Sequence, residues 1–143
     1  MDIDVENFFE NLDFENMAYF FHITGAGNGS GIIKDGLYLA DNKIWSTANE
    51  LTPDLLTNIN LFIKNRGNQV VSKNDEMVII GCLKEELPYI VQKIDTFYGN
   101  PYQYVIPSEY IIGYIDIKGK DSNYSIILNP MLADLYTSDG LMF

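Results

Sequence analysis

The amino-acid sequence predicts an α+β fold, and three observations carry the prediction. About six short segments read as strands, each rich in aromatic and β-branched residues. Helical periodicity is concentrated in the N-terminal half. The two kinds of segment do not alternate as the repeating strand–helix–strand units of a parallel sheet would.

Each element has its own warrant. Residues 4 to 14 read as an acidic amphipathic helix with Val5, Phe8, Phe9 and Leu12 on one side. "MAYFFHIT", residues 17–24, is a strand that ends at Gly25. A glycine-rich loop follows, and "SGIIKDGL" suits one or two helical turns, capped by Ser30 and stopped by Gly36. "LYLA" and "KIWST" are short extended segments around the turn "DN". Thr52 as N-cap and Pro53 as first residue open a longer helix, with Leu55, Leu56, Ile59, Phe62 and Ile63 on one stripe, ending near "KNRGN". "EMVIIGCLK" is apolar enough to be a strand buried on both faces. "LPYIVQKID" fits either helix or strand. "YQYVIP" and "EYIIGYIDIKG" are two strands broken by Pro107, and "YSIILNP" is the last.

At 143 residues the chain is expected to form one domain, residues 1–143, and no repeat or linker divides it. Nine Lys plus Arg stand against twenty Asp plus Glu, for a formal net charge of −11. The cations are scattered and Arg66 is the only arginine, so direct nucleic-acid binding is disfavoured. The single Cys82 excludes an intrachain disulfide, and its apolar run "MVIIGCL" suits an inert buried thiol. The acidic N-terminus is unlike a signal peptide, and no apolar run approaches the roughly eighteen residues that span a bilayer. The expectation is a soluble, cytoplasmic protein without a membrane partner.

The glycines of "GAGNGSG" lack dinucleotide-fingerprint spacing, and no Gly-Lys-Ser/Thr of a P-loop occurs. A different pattern surrounds the single histidine. His22, then Gly31-Ile32 and Gly36-Leu37, resembles the first motif of the ADP-ribosyltransferases, including the poly-ADP-ribose polymerases. "IWSTANE" is similar to their second motif, an aromatic residue followed by small and hydroxyl residues before a long helix. "DTFYGNPYQYVIPSEYIIGYI" can be matched to the third in two ways. "YVIP" looks like the segment after the catalytic glutamate of many members, whereas "GNP" with an upstream aspartate is similar to the small rifampicin-inactivating members. The match covers residues 19–49 and 95–117.

The resemblance implies an ADP-ribosyltransferase-like fold of two small packed β-sheets forming a cleft for NAD as co-substrate. It also implies transfer of ADP-ribose to a protein or small-molecule acceptor. His22 would orient a ribose hydroxyl, and the backbone around Ile23, Thr24 and Gly25 would hold the nicotinamide amide. Trp45, or else Tyr38, would stack on the nicotinamide, beside Ser46. The Gly25–Gly31 loop would let the main chain approach the ligand. Cleavage passes through an oxocarbenium-like cation, which needs a nearby carboxylate. Alignment on "YVIP" puts Gln103 at that position, alignment on "GNP" puts Asp95 there, and Glu109 is a third candidate. The family's RNA 2′-phosphotransferase branch needs arginines that this chain lacks.

Plainer readings stand beside these. A lone histidine among aromatic residues is often a satisfied core residue, Trp45 can be a core anchor, and Asp95 a turn residue. Net charge −11 and Gln103 favour a rival of another class, a non-catalytic acidic module that blocks a basic toxin or enzyme. An NAD-binding pseudoenzyme lies between the two.

Overall fold

The computed structural model describes residues 2–25, 27–57, 76–117 and 124–132. Its N-terminal elements are β1 (Asp2–Asp4), α1 (Val5–Glu10), β2 (Met17–Thr24), α2 (Asn28–Asp35), β3 (Leu37–Leu39), β4 (Asn49–Leu51) and α3 (Pro53–Thr57). After these come β5 (Glu76–Leu83), β6 (Gln92–Lys93), β7 (Tyr104–Ile106), β8 (Ile111–Asp116) and β9 (Ser125–Leu128). All strand pairs are antiparallel. They form a six-stranded sheet in the order β1-β9-β8-β5-β2-β4 and a three-stranded sheet in the order β3-β7-β6. The expected α+β class with two sheets is observed, and the three described α-helices all lie within residues 5–57.

Side-chain alternation along β2 and β5 divides the core in two. Tyr19 and Phe21, with Met77 and Ile79, face α1 and pack with Phe8, Phe9, Ile112 and Ile126. Phe20, Val78, Ile80 and Cys82 face the small sheet and pack with Leu37, Leu39 and Ile106. Every residue of β5 except Leu83 is buried, as its unbroken apolar run predicts. Each fully buried Phe or Ile contributes about 1.5–3 kcal/mol, so a one-residue slip of β2 would cost several such terms. That register places Ala18, Phe20, His22 and Thr24 on the face toward the small sheet.

The chain crosses between the sheets at the expected proline. Pro107 ends β7, a 3-10 turn over Ser108–Tyr110 follows, and β8 begins in the large sheet. The buried Asn129 clamps this crossing, because its Nδ2 donates to the carbonyls of Ser108 and Ile111, both at 2.9 Å. Among the described residues no helix is long and apolar enough to cross a membrane.

Several local expectations need correction. Nine strands are present among the described residues rather than about six, because β1, β4 and β6 are two or three residues long and exist through their partners. "KIWST" is not extended: Ile44–Ser46 forms a 3-10 turn, pinned by the buried Ile44 and by Ala48 N donating to Ile44 O at 2.9 Å. α2 starts two residues before Ser30, with Gly27 (φ 86°) as N-cap, and Ser30 Oγ donates to Gly27 O inside the first turn. "LPYIVQKID" resolves into a 3-10 turn and the short β6. Leu55 N donates to Thr52 Oγ1 at 3.2 Å, so Thr52 opens α3 as expected. The rest of that helical stripe, from Ile59 on, lies outside the described residues.

Candidate functional site

β2 carries His22 to the edge of the large sheet and holds it there through pairing with β5, His22 opposite Val78. Pairing with β4 stops at Phe21, opposite Asn49. One backbone edge of residues 22–24 is therefore left without a strand neighbour among the described residues. The 3-10 turn just before β4 then brings Thr47 against the imidazole. His22 Nδ1 lies 2.6 Å from the Thr47 carbonyl oxygen and 3.2 Å from Thr47 Oγ1. A carbonyl only accepts, so Nδ1 carries the proton and donates. In the neutral ring Nε2 is then the acceptor, and it has no protein partner among the described residues.

The half-buried His22 lines a cleft of about 480 Å³ between the end of β2, α2, β3 and the loop before β7. Thr24 joins it on the β2 side, and Tyr38, 48% exposed, on the β3 side. α2 supplies one face, since Asn28, Gly31, Ile32 and Asp35 recur at the three- and four-residue spacing of a helix and all line the cleft. Tyr102 closes it from the loop before β7.

α2 is seated by polar contacts at its start. Asn28 Nδ2 donates to Thr24 Oγ1 at 3.0 Å, and the buried Glu76 accepts from Gly29 N at 2.7 Å. A side chain at Gly29 would meet the Tyr114 ring at 2.6 Å, so the bare backbone lets α2 lie close on β8. The helix ends at Gly36 with φ 91°, where a Cβ would also lie 2.6 Å from the Ile106 carbonyl. Only glycine satisfies both demands, and β3 consequently leaves at the angle that puts Tyr38 on the cleft.

Of the residues singled out in the sequence, His22, Thr24 and Tyr38 come together in this cleft. Ile23 turns its side chain into the α1-side core, leaving only its backbone near the cleft. Gly25 is exposed, and its carbonyl accepts from Asn28 N at 3.2 Å. Trp45 does not line the cleft: it is 62% exposed, with its ring centroid 5.6 Å from that of Phe20. Ser46 Oγ donates to Lys43 O at 2.7 Å, inside its own turn.

The three candidates for the acidic position are all exposed and line no wall of the cleft. Asp95 lies in the loop between β6 and β7, and Glu109 in the 3-10 turn after Pro107. Gln103 uses its backbone instead, its N–H donating to Leu39 O at 3.1 Å and its carbonyl accepting from Ile94 N at 3.0 Å. Among the described residues Asp35 is the one charged residue on the cleft wall, and sequence reasoning missed it. The signal was available in the repeat of small and polar residues Asn28, Gly31 and Asp35 along one helical face. Tyr102 was also missed, because a residue of an irregular loop carries no periodicity.

Among the described residues no three His, Cys, Asp or Glu side chains are grouped to hold a metal ion. The chain matches no protein-family model, and no curated protein and no solved structure matches it.

Proposed function

We propose that this chain binds NAD in the His22 cleft and acts as a mono-ADP-ribosyltransferase on a protein or small-molecule acceptor. The observation that carries this reading is the fixed tautomer of His22. Thr47 holds Nδ1–H at 2.6 Å, leaving Nε2 to accept a hydrogen bond from a ribose hydroxyl of a ligand in the cleft. The unpaired backbone edge at Ile23 offers amide and carbonyl groups to a carboxamide, and the exposed Tyr38 offers an aromatic face. In the reaction the nicotinamide–ribose bond breaks, nicotinamide leaves as a neutral base, and the acceptor's nucleophile bonds to the ribose carbon and gives up its proton to solvent. A carboxylate facing the developing cation lowers that barrier. Asp95 is the proposed source, because its loop is the one that reaches the cleft through Tyr102.

NAD should raise the melting temperature by mass action, and His22→Ala should reduce that shift. Nicotinamide release, followed by chromatography, should fall about 10²-fold in Asp95→Asn with little change in NAD affinity. No thermal shift at millimolar NAD would exclude the reading.

One observation favours a second reading, that of a non-catalytic NAD-binding module. None of Asp95, Gln103 and Glu109 lines the cleft. Binding without any nicotinamide release over hours would decide for it.

A further inference from the structure

The cleft's charge is one-sided. Among the described residues Asp35 is the only carboxylate that lines it, and neither a lysine nor an arginine does. An aspartate in the last turn of a helix is electrostatically unfavourable, since the exposed carbonyls there favour cations. Asp35 also has no hydrogen-bond or ion-pair partner among the described residues. Local helix stability therefore gives no reason for a carboxylate at this position.

Gly31 sits one turn earlier on the same face, and it too weakens the helix. Close packing does not explain it, because a Cβ built there would meet nothing within 4 Å. The bare backbone at Gly31 and the free carboxylate of Asp35 together leave a recess on α2 that ends in an anionic acceptor.

We infer that this recess takes the second ribose of the dinucleotide, on the adenosine side, and that Asp35 is a specificity-determining residue that selects NAD against NADP. The inference rests on the NAD reading of the cleft. A carboxylate's two oxygens accept from two adjacent hydroxyls, and a ribose with free 2′ and 3′ hydroxyls presents such a pair. A 2′-phosphate removes one donor and adds about −1.5 to −2 charges beside Asp35. No cationic side chain among the described residues of the cleft wall offsets the repulsion. Asp35 takes no part in bond cleavage; it holds the far end of the ligand.

Titration calorimetry of the full chain with NAD and with NADP, on wild type and Asp35→Asn, tests this. The wild type should bind NAD at least about 100-fold more tightly than NADP. Asp35→Asn keeps a hydrogen-bonding amide without the charge, and it should bring NADP to within about tenfold of NAD. An unliganded melting temperature at or above the wild-type value would show that the variant is folded, as expected where a charge opposing the helix dipole is removed. Equal binding of NAD and NADP by the wild type would overturn the inference and leave the NAD reading standing. Unchanged discrimination in Asp35→Asn would overturn it in the same way. Binding of neither dinucleotide would overturn both, so the two failures are distinguishable.

Discussion

His22 Nδ1 and the Thr47 carbonyl oxygen are 2.6 Å apart, joining the end of β2 to the turn that precedes β4. This contact decides which imidazole nitrogen is offered to the cleft. It also ties the imidazole to main chain, so no substitution at position 47 removes the acceptor atom itself. Long-range nitrogen–proton spectra of this single histidine should show the Nδ1–H tautomer of the neutral ring. His22→Ala should then weaken NAD binding about 10-fold to 100-fold, the range of one hydrogen bond to a neutral group plus the lost contact, without lowering the cooperativity of unfolding. An Nε2–H tautomer in solution would overturn the assignment.

Gly31 separates binding from stability. Gly31→Ala should stabilise the fold by about 0.5–1 kcal/mol, because the helix gains propensity and the new methyl meets no protein atom. Gly31→Leu projects a larger side chain into the cleft and should abolish the NAD-induced thermal shift while unfolding as cooperatively as the wild type. Denaturant titration measures the first effect and thermal shift the second. A Leu variant that binds NAD normally would place the ligand elsewhere.

The elements legible in the sequence were those whose residues specify them without help. β2 runs from Met17 to Thr24 as read, since its aromatic alternation ends at a glycine. Gly36 stops α2 as read, since a left-handed residue is a local requirement. Edge strands of two or three residues such as β6 were not legible, because their partners create them. The fold of Ile44–Ser46 was misread for a related reason: its β-favouring side chains yield to the need to bury Ile44 while turning into β4. In the cleft, His22 was named from its motif and Tyr38 only as the alternative to Trp45, and both line the wall. The position of Trp45 on Phe20 depends on that turn, so its spacing alone suggested a stacking role that the geometry does not give it.

Asn129 was read only as part of the final strand, yet it satisfies two carbonyls of the sheet-to-sheet crossing and accepts from Met131 N at 3.1 Å. Asn129→Leu should cost about 2–4 kcal/mol, because both carbonyls lose a buried donor. Asn129→Asp should be at least as damaging near neutral pH, as an ionised carboxylate facing two carbonyl oxygens donates nothing. Equilibrium denaturation checks both variants. A cost under about 0.5 kcal/mol, the scale of an ordinary surface change, would show that the crossing does not need its clamp.

Cys82 makes stability depend on pH in the alkaline range. The thiol is 2% exposed on the central strand β5. Burial, aided by the negative charge of Glu86, pushes its pKa up from 9.0 to about 11. The folded state therefore keeps a proton that the unfolded state releases first. The corresponding stability is fully present below the unfolded value near 9, and it declines as pH rises from there toward about 11. Tyr19, pushed up to about 12 by burial, adds a decline of the same sign that begins about one unit higher, above its ordinary value of 10.0. Urea denaturation at intervals between pH 8 and about 10 isolates the thiol. Cys82→Ala should be less stable at pH 8 because it leaves a cavity, yet it should lose less stability than the wild type over that window. A disulfide reagent at pH 8 should label the wild-type thiol only at the rate of unfolding, and fully in denaturant. Fast labelling of the folded protein, or identical pH slopes for wild type and variant, would show that Cys82 is not sealed in the core between the two sheets.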